Sequence, residues 1–507
     1  MGDEVSAAQR PALAGSPAAR LRGPGGWLRG PGGWLLAVGV IAFAATLAIY
    51  AYLVKTHFHG WAMDPVDLRV YRQGGASVRH LAPWYDPHVK ASLYSWQHTE
   101  LKFTYPPFAA LVFTVISLPK MALMEKLSAG IDVAAFLAAI WITFGGLGYR
   151  RGAARVGATA LVGAAVFWIE PIQRVLFLGQ IELVLLALVM WDMCQPDRRW
   201  WKGAGIGIAA GIKLVPLIFI PYLLLTRRFR QAAVASGTFV VTILIGFVVL
   251  PGDSDEWWLH ALFLQGGRTG FVAWEGNQSL RGIITRFVGS VATAAPLWLV
   301  AAALTAAVGL VCAAVLDRHG HRMLGLLTCA LTGILVSPIS WDHHWVWVIP
   351  GITAAVVYGV RAIRRPAGWA LLGLAALLGL IFGAWPGRLW GNPHDLGAFS
   401  RGLIWAPPNT NPKIYYKLGD QPSFVEYHWH GLQLLVGNLY VLTGIALLAL
   451  LVVIAIRALR SPVGSGGQDG KLSGGAGSGS ASKQAPATQP TQPTQPVQPV
   501  RLATPDA

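Results

Sequence analysis

Charged residues are scarce in this chain of 507 residues: only 12% are Asp, Glu, Lys or Arg, against about 25% in a typical soluble domain. Hydrophobic residues make up 54% of the chain and form long runs. This number of charged residues is too small to cover a water-exposed surface, and the composition therefore excludes an ordinary soluble enzyme. We expect an all-α polytopic membrane protein, because a helix satisfies its own backbone hydrogen bonds in lipid.

Cysteine is also rare. The three cysteines, Cys194, Cys312 and Cys329, lie in or at the end of apolar runs, and no pair has the spacing of metal ligands. This pattern excludes a disulfide framework and indicates buried, inert thiols.

Acidic residues are outnumbered, with 23 Asp and Glu against 40 Lys and Arg, for a net charge of +17. A nucleic-acid surface would be contiguous and interleaved with stacking aromatics. Here the basic residues form short clusters between apolar runs, as in cytoplasmic loops. We therefore predict a multi-pass protein of the cell membrane with both termini cytoplasmic and no nucleic-acid partner. The clusters are Arg20/Arg22/Arg29, Arg150/Arg151/Arg155, Arg198/Arg199/Lys202, Arg227/Arg228/Arg230, Arg318/Arg322, Arg361/Arg364/Arg365 and Arg457/Arg460.

Apolar runs predict ten helices, and two further segments bring the expected total to roughly 10–12 membrane helices. One further segment, Pro107–Pro119, is too short to cross and should dip into the membrane. The other, Gly203–Leu225, is either a single pass or a re-entrant pair of half-helices with Lys213 near its tip. The ten helices are Trp34–Val54, Ser128–Tyr149, Val156–Ile169, Leu178–Met193, Val234–Leu250, Ala292–Leu316, Met323–Val336, Trp345–Val360, Ala367–Trp385 and Leu432–Ile456.

The bundle, residues 34–456, lies between two tails. Residues 1–33 are basic and Gly/Pro-rich, with no cleavable signal, and residues 461–507 are Gly/Ser/Pro/Gln-rich; both are predicted to be cytoplasmic, the second disordered. The long non-cytoplasmic loops are 55–105, 251–291 and 386–431, and the short ones are 170–177 and 337–344. These loops are rich in Trp, Tyr, His and Asp, so we expect the functional site on that side.

Polar residues in these segments are the candidates for chemistry. Asp64 and Asp67 follow directly on the first span, although loop acids often only face water. Gln180 lies at the outer end of a predicted span, where a polar residue is tolerated if it faces a cavity. A lysine at membrane depth such as Lys213 either binds an anion or extends to the headgroup region.

Two later loops carry further candidates. Asn277, Gln278 and Arg281 form a compact polar group in WEGNQSLRGIITR. In SPISWDHHWVW, His343 and His344 are adjacent and cannot share a helix face, so a two-histidine metal site from this pair alone is not expected. One of the two could hold a substrate, or the pair could simply lie on the surface.

Six motifs in order give the chain a resemblance to a known family. They are DLRVYRQGG, FTYPPFAALVF, LGQIELVLLALVMWD, AAGIKLVPLIF, NQSLRG and SPISWDHHW, spanning roughly residues 64–347. The chain resembles the polyprenol-phosphate-mannose-dependent alpha-mannosyltransferases, glycosyltransferase family 87 of the GT-C type. Within that family it looks closest to enzymes that add alpha-(1,2) mannose to phosphatidylinositol mannosides or lipoarabinomannan. Glu182 stands where the commoner family pattern has asparagine.

The resemblance implies a polyprenyl-phosphate-mannose donor, a glycolipid acceptor and a catalytic aspartate in the first outer loop. That role falls on Asp67, with Asp64 as the alternative. A phosphate leaving group departs as a stable anion, so one general base suffices and the transfer is expected to invert the sugar carbon. Candidates for holding the donor phosphate are His344, His343, Lys213 and Arg281, and those for other substrate contacts are Asn277, Gln180 and Tyr105.

No metal or cofactor is expected from this scheme, and the sequence names no protein partner. The alternative function is a transporter or flippase for a lipid-linked sugar. A transporter would show internal repeats and charged residues in the middle of its spans, and the sequence shows no convincing repeat.

Overall fold

Helices dominate the computed structural model, which describes residues 31–57, 64–81, 93–94, 101–261, 270–385, 402–410 and 424–460. These residues contain no β-strand, only two isolated bridges, and the predicted all-α class is confirmed. The predictions for residues 1–30 and 461–507, for part of the loop 55–105 and for most of the loop 386–431 lie outside the described residues.

The first half of the described chain contains ten helices, followed by a short helical turn. They are α1 (Pro31–His57), α2 (Val66–Leu81), α3 (Pro107–Ser117), α4 (Met121–Gly146), α5 (Ala153–Val166), α6 (Glu170–Leu178), α7 (Glu182–Met193), α8 (Ala204–Ile212), α9 (Phe219–Leu225), α10 (Phe229–Val249) and the turn α11 (Pro251–Ser254).

The second half adds α12 (Leu280–Val288), α13 (Val291–Arg318), α14 (Arg322–Val336), α15 (Val348–Arg361), α16 (Pro366–Ile381), α17 (Leu432–Gly437) and α18 (Leu439–Arg460). Short 3-10 helices at Val215–Ile218 and Asp342–Trp347 lead into α9 and α15.

Five of these helices are long and apolar enough to cross a membrane: α1, α4, α10, α13 and α18. The pair α6 and α7 passes the same test together but is bent by 118°. Five shorter apolar segments pack among them, namely α3, α5, the segment Val215–Leu225, α14 and α16. Apolar residues therefore cover most of the bundle, as expected for a polytopic membrane protein.

The segment Gly203–Leu225 is broken at Lys213, which ends α8 in an extended conformation. Glycines spaced four residues apart bring α8 against α10. An added Cβ at Gly203 would overlap the carbonyl of Gln231, and one at Gly207 would come within 2.6 Å of the Ala235 carbonyl oxygen. Small residues at such spacing let helix backbones approach closely. Because the two contacts advance together along both helices, α8 and α10 run parallel.

The chain then returns through α9, so both ends of this segment lie at the same end of the bundle. Arg230, just after α9, donates to the backbone carbonyls of Arg199 and Trp200, just before α8, at 2.6 and 2.9 Å. Arg228 pairs with Asp317 at the end of α13 at 2.6 Å. Gly203–Leu225 is thus a hairpin with Lys213 at its tip, as in the re-entrant alternative left open by the sequence, and not a single pass.

The bent pair corrects two expectations. A continuous helix Leu178–Met193 was wrong, and so was a loop over residues 170–177. Pro171 starts α6, and Gly179, with a left-handed φ of 69°, ends it and turns the chain into α7. The hydropathy pattern did not predict α6, because this helix carries the polar residues Glu170, Gln173 and Arg174. In the fold these side chains are buried or nearly buried.

The segment after α1 contains α2, a helix that hydropathy alone did not reveal. Its buried residues include Leu68, Tyr71 and Val78, which recur at helical spacing on one face. Gly75 lies directly against the backbone of Phe113, where an added Cβ would overlap the carbonyl. The glycine pair of DLRVYRQGG therefore lets α2 pack closely on α3.

Candidate active site

Asp67 lies in the first turn of α2 and faces side chains from three other segments. Gln180 hydrogen-bonds its carboxylate, and Arg174, Lys213 and His343 are close enough to act on it electrostatically. Burial raises the pKa of Asp67, and the nearby basic groups and the hydrogen bond only partly offset this. An aspartate of raised pKa is a stronger base than a solvated one.

A chain of hydroxyl groups fixes the side chain of Gln180. The hydroxyl of Tyr71 donates to Gln180 Oε1 at 2.5 Å and lies 2.9 Å from the hydroxyl of Tyr105. Because Oε1 is engaged by Tyr71, the amide nitrogen of Gln180 is the group left to donate to Asp67. Tyr71 is stacked on Phe113, with ring centroids 4.4 Å apart, so its position is set by packing.

Lys213, at the tip of the hairpin, contacts two side chains from different elements. Its ammonium group forms an ion pair with Glu182, the first residue of α7, and lies 2.9 Å from His344 Nε2. His344 Nε2 is in turn 3.4 Å from Glu182 Oε1. A lysine with Gly and Pro on either side thus reaches a polar cluster at the end of α7, which offsets the cost of its depth.

His343 is held by its neighbour. Asp342 Oδ1 accepts a hydrogen bond from His343 Nδ1 at 3.0 Å, and Asp342 Oδ2 lies 3.4 Å from Arg174 Nε. Burial alone would raise the pKa of Asp342, but Arg174 and His343 hold the pKa of this carboxyl at about 2. Burial lowers the pKa of His343, although Asp342 opposes this.

The C-terminal elements are tied to this cluster through Glu170. Its two carboxylate oxygens accept from Trp405 Nε1 and from the Tyr440 hydroxyl, each at 3.2 Å. Arg174 lies over the Trp405 ring, 5.1 Å from its centroid. Residues more than 230 positions apart therefore position α6, on which Arg174 stands.

Three predicted residues have partners outside the cluster around Asp67. Asp64 pairs with Arg69 at 2.9 Å at the start of α2. Asn277 joins two loops, since its side chain donates to the Val272 carbonyl and accepts from the backbone of Ser340. Arg281 lies over the ring of Trp298, 5.0 Å from its centroid, and no contact joins it to the cluster among the described residues.

The predicted residues that the fold brings together are Asp67, Tyr105, Gln180, Lys213, His343 and His344. Tyr71, Glu170 and Arg174 were missed. Tyr71 was recoverable, because it follows Asp67 by four residues and shares its helix face. Glu170 and Arg174 gave no local signal, since their partners come from distant segments.

A possible set of metal ligands also arises here. Glu182, His343 and His344 each offer one ligand atom, and these three atoms lie within 4.8 Å of one another. The sequence did not suggest this set, because the third ligand stands on another element. The ammonium group of Lys213 already contacts two of the three side chains, and a second cation beside it would be strongly repelled.

Comparison with known proteins decides the family. Residues 103–338 match the model of glycosyltransferase family 87. The chain is also 35% identical, over 68% of its length and 80% of the relative's, to a protein of Mycobacterium tuberculosis named polyprenol-phosphate-mannose-dependent alpha-(1-2)-phosphatidylinositol pentamannoside mannosyltransferase.

The chain belongs to glycosyltransferase family 87. A Mycolicibacterium smegmatis protein with the same name is 32% identical over 80% of this chain and 90% of its own. A second M. tuberculosis protein, named for phosphatidylinositol mannoside, is 31% identical over 62% of this chain and 74% of its own. No solved structure matches the chain.

Family membership confirms the resemblance seen in the sequence motifs, and it makes the chain a membrane glycosyltransferase. The match to the family model begins at residue 103 and ends at residue 338. Asp67, His343 and His344 lie outside it, and the roles of all the site residues remain predictions. A carboxylate facing several basic groups is an arrangement suited to transfer from an anionic donor.

Proposed function

We propose that this family 87 enzyme transfers mannose from polyprenyl-phosphate-mannose to a phosphatidylinositol mannoside or related glycolipid. The printed names of the relatives support this choice of donor and acceptor. The transfer inverts the sugar carbon and takes place on the non-cytoplasmic face of the cell membrane.

The chemistry is one in-line displacement. The acceptor oxygen attacks the anomeric carbon of the donor, and the bond from that carbon to the phosphate oxygen breaks. The phosphate leaves with the electron pair, and Asp67 takes the proton of the acceptor hydroxyl. The polyprenyl phosphate is stable as an anion, so no general acid is needed.

Lys213 is the proposed partner of the donor phosphate, and His344 holds its ammonium group in place. At about 4 Å and an effective dielectric constant of about 20, one such charge pair is worth about 4 kcal/mol. Arg174, which the sequence did not predict, is a second cation beside Asp67. Arg281, against Trp298, has no part in this assignment.

The arginine-bearing end of the hairpin supports the proposed orientation. Arg228 and Arg230 lie at its base, whereas Lys213 lies beyond the nine residues of α8, about 13 Å away along the helix. Arginine-rich loops remain in the cytoplasm. The cluster around Lys213 then lies toward the opposite face.

The observation that carries the proposal is the position of Asp67 among Gln180, Lys213 and His343. The test is transfer of radiolabelled mannose from polyprenyl-phosphate-mannose to glycolipid in membranes containing wild type, Asp67→Asn or Asp64→Asn. We expect Asp67→Asn to lose at least about 100-fold in rate, the size of a general-base contribution. Asp64→Asn is the matched control and should stay close to wild type, because Asp64 pairs with Arg69.

Equal loss in both variants would contradict the assignment of the base. No transfer by folded wild type would contradict the donor or acceptor, and other lipid-linked sugars would be tried next.

A further inference from the structure

Glu182 carries a carboxylate oxygen that has no hydrogen-bond partner among the described residues. The side chain is only 6% exposed. Its Oε1 contacts Lys213 and lies near His344, while Oε2 is buried and unpartnered. Leaving a buried acceptor unsatisfied is costly, and most for a charged group. Such an atom at a substrate site calls for a donor that arrives with the substrate.

His343 presents a second unpartnered atom beside it. Since Nδ1 of His343 donates to Asp342, its neutral ring exposes Nε2 as a lone pair, and Nε2 has no partner among the residues described. One ligand atom of His343 lies within 4.8 Å of a carboxylate oxygen of Glu182. A hexose carries hydroxyl groups on neighbouring carbons, and two acceptors on adjoining side chains suit such a pair, each hydroxyl about 2.8 Å from its acceptor.

Lys213 contacts only one side of the Glu182 carboxylate. The ammonium contacts Oε1, so the carboxylate is positioned without blocking Oε2. The same lysine is the proposed partner of the donor phosphate, which bonds directly to the sugar. Because the Glu182 carboxylate contacts the same ammonium group that would bind the phosphate, this carboxylate is within reach of the transferred sugar ring.

We infer that Glu182 is a sugar-binding residue whose free carboxylate oxygen accepts a hydrogen bond from a hydroxyl group of the transferred hexose. This inference rests on the proposed function. It assigns to Glu182 the recognition of one ring hydroxyl, with His343 Nε2 facing the next.

The experiment compares intact polyprenyl-phosphate-mannose with donors that lack one hydroxyl each, at ring positions 2, 3, 4 and 6. For wild type, kcat/KM should fall about 10- to 100-fold for the donor that lacks the contacted hydroxyl, as expected for a hydrogen bond to a charged group. In Glu182→Gln this selective loss should shrink to a few-fold, and in Glu182→Met it should vanish. Glu125→Gln, a change of the same type on α4, should keep the wild-type ratio.

A purely structural role predicts a different result. Glu182 substitutions would then slow all donors equally and leave every ratio at its wild-type value, which would overturn the inference. Thermal unfolding in detergent identifies the folded variants. If Glu182→Met does not fold, the donor ratios of Glu182→Gln, which keeps the size and shape of the side chain, decide the question. Failure of the proposed function is distinct, because wild type would then not use the intact donor.

Discussion

Removal of the Tyr71 hydroxyl group should move the acid limb of the pH–activity profile for the transfer reaction to higher pH. This hydroxyl donates to Gln180 Oε1 and meets the hydroxyl of Tyr105. In Tyr71→Phe the ring remains stacked on Phe113, so packing is kept. Gln180 loses the contact that fixes its amide, and its bond to Asp67 weakens.

The size of the effect follows from that bond. Burial raises the pKa of Asp67 and Gln180 lowers it, so a weaker bond raises the pKa further. A hydrogen bond to a charged group contributes about 1.5–3 kcal/mol, and 1.36 kcal/mol corresponds to one pKa unit. Partial replacement by water leaves an expected rise of about 1 unit. The proposed base Asp67 can act only when it is ionised, so we expect activity to fall at low pH and to be kept at high pH.

The assay is the pH dependence of kcat/KM for mannose transfer by wild type, Tyr71→Phe and Tyr94→Phe. Tyr94 is the control, because its buried hydroxyl donates to the backbone carbonyl of Tyr105 at 3.0 Å. Each variant should lose about 1 kcal/mol of unfolding free energy, but only Tyr71→Phe should move the acid limb. Coincident acid limbs for Tyr71→Phe and wild type would refute the idea that Tyr71 acts on the base through Gln180.

Two further predictions concern the hairpin. Lys213→Met should destabilise the protein by about 3–5 kcal/mol, because it removes the ion-pair partner of the buried Glu182 carboxylate. Adding Glu182→Gln to this variant should restore most of the melting temperature but not the transfer activity. If the two substitutions instead destabilise the protein additively, the pairing of Lys213 with Glu182 is contradicted. Gly207→Val should lower the melting temperature sharply, because the new side chain would meet the backbone of Ala235. Gly237→Ala on α10 should be neutral or stabilising by up to about 1 kcal/mol, because an added Cβ there has nothing within 4 Å. Similar melting temperatures for the two variants would contradict close packing of α8 on α10.

The long spans could be predicted from sequence because their ends are marked by charge and their interiors are uniformly apolar. The helix predicted at Ala292–Leu316 is Val291–Arg318 in the structure. The continuous helix predicted at Leu432–Ile456 was wrong, because the chain is broken at Asn438 between α17 and α18. The predicted start of α4 at Ser128 was seven residues late, since Glu125 and Lys126 in its first turns resemble a loop. Local hydropathy cannot identify a helix whose polar residues face partners contributed by distant segments, and α6 is such a helix.

The site was partly predictable for the same reason. Lys213 stood out because a charge at membrane depth between Gly and Pro has few explanations, and the histidine pair stood out because it follows an apolar run. Arg174 pairs with Asp342, 168 positions later in the chain, and no spacing in the sequence relates them. Arg281 was misplaced because a motif gives the order of residues but not the face of the helix on which each one stands.

The groups around Asp67 share one structural origin: each stands where a helix begins, breaks or tightens. Gln180 and Glu182 flank the bend between α6 and α7, Lys213 ends α8, and the histidines lie on a 3-10 turn. Irregular backbone at membrane depth is tolerated only where protein or water satisfies its polar groups. The breaks that would weaken a simple bundle therefore coincide with the place where an anionic donor needs polar contacts. Straightening any one of them would remove a site residue even if the helices themselves became more stable.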